Sequence, residues 1–104
     1  MWRLQSRDGQ LIAQLIVRSV GMPWIEANVV AGPVWDEHAD LLISEFEANE
    51  RAIETDDWNE ADRLYGKVRS VTVLLNPDGI VVPEYLLHTD GTTARWRWHD
   101  EPFD

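Results

Sequence analysis

Residues 32–46 read GPVWDEHADLLISEF (Gly32–Phe46), and the change of period inside them decides the fold. Upstream, apolar side chains recur every second residue. From Trp35 onward they recur every third or fourth. Trp35, Ala39, Leu42, Phe46, Asn49 and Ile53 follow one another at spacings of four, three, four, three and four. That rhythm places them on one face of a helix, with Asn49 its one polar member. Pro33 fits a first helical turn because its fixed φ is already helical and its missing N–H has no partner there to lose. Asp36 and Glu37 suit the positive end of the helix dipole. Gly32-Pro33 is therefore read as a switch from strand to helix.

Thr55-Asp56-Asp57 breaks this helix and starts another. Asp57 with Glu60 three residues on has the spacing of a capping box in acidic form. The second helix is expected to carry Trp58, Ala61, Leu64, Tyr65 and Val68 on one face, with Gly66 weakening its last turn.

On both sides of the helices the period is two. Trp2, Leu4 and Ser6 alternate with Arg3, Gln5 and Arg7, and Asp8-Gly9 is a hairpin turn signal. Leu11, Ala13, Leu15 and Val17 continue the alternation until Gly21-Met22-Pro23 interrupts it. A third strand is expected from Trp24 to Ala31. After the helices, Val71–Leu75 is aliphatic and β-branched, and Asn76-Pro77-Asp78-Gly79 is a turn in which proline presets φ. Ile80–His88 follows, with Pro83 confining its first half to an edge or bulge. Asp90-Gly91 turns again, and Ala94–His99 puts Ala94, Trp96 and Trp98 on one side and Arg95 and Arg97 on the other. The expected fold class is α+β: a mostly antiparallel sheet of about six strands, grouped as three strands, two helices and three strands, packed on one face by the two helices. Residues 1–104 are read as a single domain with a tryptophan-rich core.

At 44% hydrophobic and 27% charged residues the composition is globular. The absence of cysteine excludes disulfides and thiolate chemistry. No charged-then-apolar leader and no long apolar run is present, and the expected location is cytoplasmic. The formal net charge is −10. Between Asp36 and Asp62 lie eleven acids (Asp36, Glu37, Asp40, Glu45, Glu47, Glu50, Glu54, Asp56, Asp57, Glu60 and Asp62) against the single base Arg51. That window alone carries the whole excess, because the remaining eight acids and eight bases cancel.

The three histidines, His38, His88 and His99, each have carboxylates nearby, Asp100 and Glu101 beside His99 among them, but none has the His-x-x-x-His spacing of a helical zinc site. No serine sits in a Gly-x-Ser-x-Gly elbow, and the glycines are scattered singly. No cofactor and no metal is expected. Arg95-Trp96-Arg97-Trp98 has the residue types of a nucleic-acid platform, yet tryptophans two apart on a strand line a core, and a net charge of −10 repels a polyanion.

Gly9 after the strand beginning Met1-Trp2-Arg3-Leu4, Pro23-Trp24, Leu86-Leu87-His88-Thr89-Asp90-Gly91 and the closing Asp100-Glu101-Pro102-Phe103-Asp104 together resemble a group of short acidic bacterial proteins of unassigned function. The resemblance spans most of the chain and implies no activity, cofactor or site residue.

The acidic helical surface remains. The leading expectation is a non-enzymatic interaction module, an inhibitor or immunity-type protein, that docks a basic protein through Asp36, Glu37, Asp40, Glu47, Glu50, Asp56, Asp57 and Glu60, with Trp35 and Trp58 as anchors. Two alternatives stand beside it: a small metal-dependent hydrolase using His38, His88 or His99, and a domain that binds a small apolar ligand in a tryptophan-lined pocket between helices and sheet.

Overall fold

The computed structural model describes residues 1–21 and 23–99, and of His99 the backbone alone. Met22 of the Gly21–Pro23 break, the side chain of His99, the carboxylates Asp100 and Glu101, and the rest of the 100–104 stretch lie outside the described residues.

The molecule is α+β, with two helices and a six-stranded antiparallel sheet. The strands are β1 (Trp2–Ser6), β2 (Leu11–Gly21), β3 (Trp24–Ala31), β4 (Thr72–Leu75), β5 (Glu84–Thr89) and β6 (Thr93–His99). The helices are α1 (Trp35–Thr55) and α2 (Asn59–Val71). The order across the sheet is β4-β1-β2-β3-β6-β5. This corrects the grouping into two threes: β4 leaves the last three strands to pair with β1, while β6 pairs with β3. Hydrophobic periodicity specifies which residues are strand, but partner choice is set by how the sheet closes.

The sheet curls strongly. In a flat sheet β1 and β6, with two strands between them, would lie about 14 Å apart. Yet the ring of Trp2 on β1 is centred 5.3 Å from Trp96 and 5.8 Å from Trp98, both on β6. The two edges also meet. Val81 bridges Leu75, the Val82 N–H donates to the Leu74 carbonyl at 2.9 Å, and two residues later the chain enters β5. Pro83, which has no N–H to give to a ladder, sits where the segment leaves β4 for β6. Strand geometry expected from Ile80 therefore begins only at Glu84.

The interior face carries Trp2, Leu4, Leu15, Ala27, Leu87 and Trp96, all buried. Leu42 of α1 and Val68 of α2 join this core. Two local contacts set the entry to α1. Gly32 donates to the Ile12 carbonyl at 2.7 Å, and a Cβ on Gly32 would lie 2.5 Å from the Leu11 carbonyl oxygen, so only glycine allows that approach. Val34 is the N-cap residue, so Pro33 lies just before the helix and not in its first turn.

Candidate functional site

Helix α1 is gripped from two directions, by the sheet at β5 and β2 and by α2. Its buried residues are Leu42, Glu45, Ala48, Asn49 and Ala52. Compared with the stripe read from the sequence, the buried arc is turned by roughly 70° about the helix axis, at 100° per residue. The periodic stripe marks the side facing the sheet. Small residues Ala48 and Ala52 face Ala61 and Leu64 of α2 and let the helices approach closely. Ile53, expected inward, is 57% exposed as a result.

The same rotation buries Glu45. It is 1% exposed, an acid of the Asp36–Asp62 window that is not among the eight expected to dock a partner. His88, on the helix-facing side of β5, meets it. Its Nδ1 lies 2.9 Å and 3.0 Å from the two Glu45 carboxylate oxygens. The His88 ring is packed between aromatic neighbours, 6.2 Å from Trp24 and 5.8 Å from Tyr65 between ring centres.

Tyr65 explains how α2 is held. β5 is an edge strand, so the backbone groups on its free side need partners. The Tyr65 hydroxyl donates to the Tyr85 carbonyl at 2.6 Å and accepts from the Leu87 N–H at 3.1 Å, bridging that edge. Burial pushes the phenol well above the ordinary tyrosine range, because a phenolate there would lose its hydration. Tyr85 is raised for the same reason, and its hydroxyl donates to Thr72 Oγ1 at 2.7 Å. Thr72 in turn gives its own proton to the Val68 carbonyl at 2.8 Å.

Above Glu45 and His88, between the two helices and the sheet, opens a cleft of about 360 Å³. Trp58, Tyr65 and Trp24 are its aromatic walls, and Ile53, Ala61 and Leu86 its aliphatic ones. Polar groups reach it from Glu45, Asn49, Asp62, His88 and Arg95. Arg95 is already engaged, with its guanidinium 3.8 Å from Glu50 and lying 5.6 Å from the Trp24 ring centre. A smaller hollow of about 220 Å³ borders His88 and Arg95 on the side of Phe46 and Thr93.

The other expected site residues lie outside this cleft. Asp36, Glu37, Asp40, Glu47, Glu50, Asp56, Asp57 and Glu60 are all exposed. Asp36, Asp40, Glu47 and Glu54 recur at spacings of four, seven and seven, forming one line along α1 opposite its buried arc. Two members of the acidic window are partly neutralised: Glu60 pairs with Arg63 at 2.6 Å, and Glu50 with Arg95. The Arg63 hydrogen bond holds the Glu60 carboxyl below the usual range. The capping box does not form. Trp58 is the N-cap residue of α2, the Asp57 carboxylate accepts from the Asn59 N–H at 3.2 Å, and Glu60 turns to Arg63 instead. Trp35 is half-buried against the core and cannot serve as a free anchor. Trp58 is 39% exposed, its indole N–H donating to Asp56 at 3.2 Å.

His38 is 3.0 Å from the Val34 carbonyl and His88 is on Glu45, so these two histidines serve separate contacts. Among the described residues no group of three histidines or carboxylates is placed to hold a metal ion. No described helix is long and apolar enough to cross a membrane. Comparison with protein families, curated proteins and solved structures finds no match for this chain.

Proposed function

We propose that the protein is a non-enzymatic binding module for a basic protein, docking through the outer face of α1 and the α1–α2 junction. One observation supports it above the others. Ten of the eleven acids between Asp36 and Asp62 are exposed, and Asp36, Asp40, Glu47 and Glu54 run along the side of α1 opposite its buried arc. A surface of one sign accelerates encounter with an oppositely charged partner and selects against acidic ones. The exposed Trp58 ring beside Asp56 and Asp57 adds an apolar contact within this surface.

The test begins with capture of partners from native lysate and continues with the purified captured protein. The association rate of wild type is compared with that of Asp36→Lys/Asp40→Lys/Glu47→Lys at low and high salt. The rate is expected to fall at least about tenfold at low salt, with a flatter salt dependence. An association rate indifferent to the reversal ends this reading.

A second reading draws on the cleft. A concave, aromatic-walled space with a few polar groups is the usual shape of a small-ligand site, and its size sits at the lower end of that range.

A further inference from the structure

The cleft and the acidic surface share residues: Trp58 and Asp62 belong to both. The chemistry at the bottom of the cleft is unusual for a structural seam. Glu45 is a carboxylate 1% exposed, and its two oxygens share one ring nitrogen, Nδ1 of His88. A carboxylate offers about four acceptor positions. With one donor shared between its two oxygens, Glu45 keeps acceptor positions to spare, and it lines the cleft. The walls above are aromatic faces, which attract cations, and aliphatic groups, which favour an apolar stem. Asp62 stands at the exposed side. The cationic group already lining the cleft, Arg95, is turned toward Glu50 and Trp24.

We propose that this cleft receives a lysine side chain of the basic partner. The aliphatic stem lies along Ile53 and the Trp58 and Tyr65 rings, the ammonium reaches Glu45 at the bottom, and Asp62 attracts the cation at the mouth. Lysine fits better than arginine because a compact ammonium can use a single remaining acceptor position of Glu45, whereas a planar guanidinium needs a carboxylate presented edge-on, and both Glu45 oxygens already face His88. The inference rests on the docking surface proposed above and supplies its anchor.

The probe is n-butylammonium, the lysine side chain without its backbone, with n-butanol and butyrate as neutral and anionic controls of the same length. Each is titrated into 15N-labelled full-length protein at about 0.5 M salt, where the Debye length is only a few Å and long-range attraction is screened. The indole N–H resonances of Trp58 and Trp24 report occupancy. Saturable shifts with n-butylammonium alone are expected. Glu45→Gln should weaken binding about tenfold, the equivalent of one charged hydrogen bond. Trp58→Ala, at a position 39% exposed, should weaken it about threefold. Equal shifts with n-butanol, or none at either indole with n-butylammonium, overturn the proposal. The variant Asp36→Lys/Asp40→Lys/Glu47→Lys separates the two ideas. If it still binds n-butylammonium but associates with the captured partner as wild type does, the acidic-face reading fails and the cleft stands. If charge reversal slows the partner while n-butylammonium leaves both indoles unmoved, the surface stands and the lysine anchor falls.

Discussion

Two buried regions of this molecule are made of opposite materials. Inside the curled sheet, Trp2, Leu4, Leu15, Leu87 and Trp96 fill space with hydrocarbon and ring. A few ångströms away, on the helix-facing side of β5 and β6, the seam under α1 holds Glu45, His88 and Asn49, beside a cleft. One strand serves both: Leu87 points into the first region and its neighbour His88 into the second. The contrast separates the part of the molecule that fills its space from the part that leaves some open. The interior is filled by buried apolar side chains, while the seam keeps a buried carboxylate and unfilled space.

Breaking the interior should have the largest effect. Trp96→Ala removes a fully buried ring tilted against Trp2 and facing Ile25 and Leu87 across its two neighbouring strands. Stability should drop by about 4 kcal/mol, read as a lower urea midpoint at unchanged slope. A loss below about 2 kcal/mol would mean the interior tolerates a void and is not the organising core.

The seam is expected to answer differently. Glu45→Leu leaves the His88 ring without its acceptor and should cost about 3 kcal/mol. Replacing both, Glu45→Leu with His88→Leu, should return stability to within about 1 kcal/mol of wild type, since buried pairs seldom outdo hydrocarbon of similar size. A double variant as unstable as the single would show the pair to be structural, and would remove the argument that the seam is kept polar for binding.

The interior was legible because period two names its members directly: Trp2, Leu4, Leu15 and Trp96 all fall on the alternating face read from the sequence. So were the two helices and the helix-facing set Ala61, Leu64 and Val68. Strand order was not, because pairing of β4 with β1 depends on curvature that no local pattern encodes. The seam was nearly invisible. Glu45 looked like one acid in a run of eleven, although its position three residues after Leu42 and four before Asn49 puts it on the buried arc. In sequence the acid near His88 is Asp90, whereas its partner in the fold, Glu45, stands on α1. Asp90 instead accepts from the backbone N–H groups of Thr92 and Thr93, at 2.9 and 2.8 Å, and is held below the usual carboxylate range by them.

Alkali probes both regions at once through the two tyrosines, the whole complement of the chain. Tyr65 bridges the seam at the edge of β5, and Tyr85 lies in the interior. Both phenols are raised above the ordinary value of 10.0 by burial. Their contribution is complete below that value and is lost as pH rises beyond it, because the unfolded chain ionises first. Tyrosinate absorbance near 295 nm should stay flat in the native protein past pH 10 and then rise together with loss of near-ultraviolet circular dichroism. Ionisation near pH 10 with the fold intact would place at least one phenol in water and undo the account of β5 being sealed by Tyr65.

The smallest effect belongs to the outer wall, where the contrast with the seam is sharpest. Glu60 and Arg63 form a hydrogen-bonded pair at 2.6 Å, geometrically closer than Glu45 and His88, but both side chains are about half exposed. Water and salt screen such a pair, and the entropy of holding two long side chains offsets much of its attraction. The depressed Glu60 pKa means that whatever the pair contributes is present above the unfolded carboxylate value and fades as pH falls through the folded one. Glu60→Gln should therefore leave the melting temperature at neutral pH unchanged within error, and any acid-side difference from wild type should vanish in about 1 M salt. A shift comparable to that of Glu45→Leu would mean the wall is part of the fold's support. A null result leaves Glu60 among the acids free to act on a partner, and leaves burial, not distance, as what separates the two pairs.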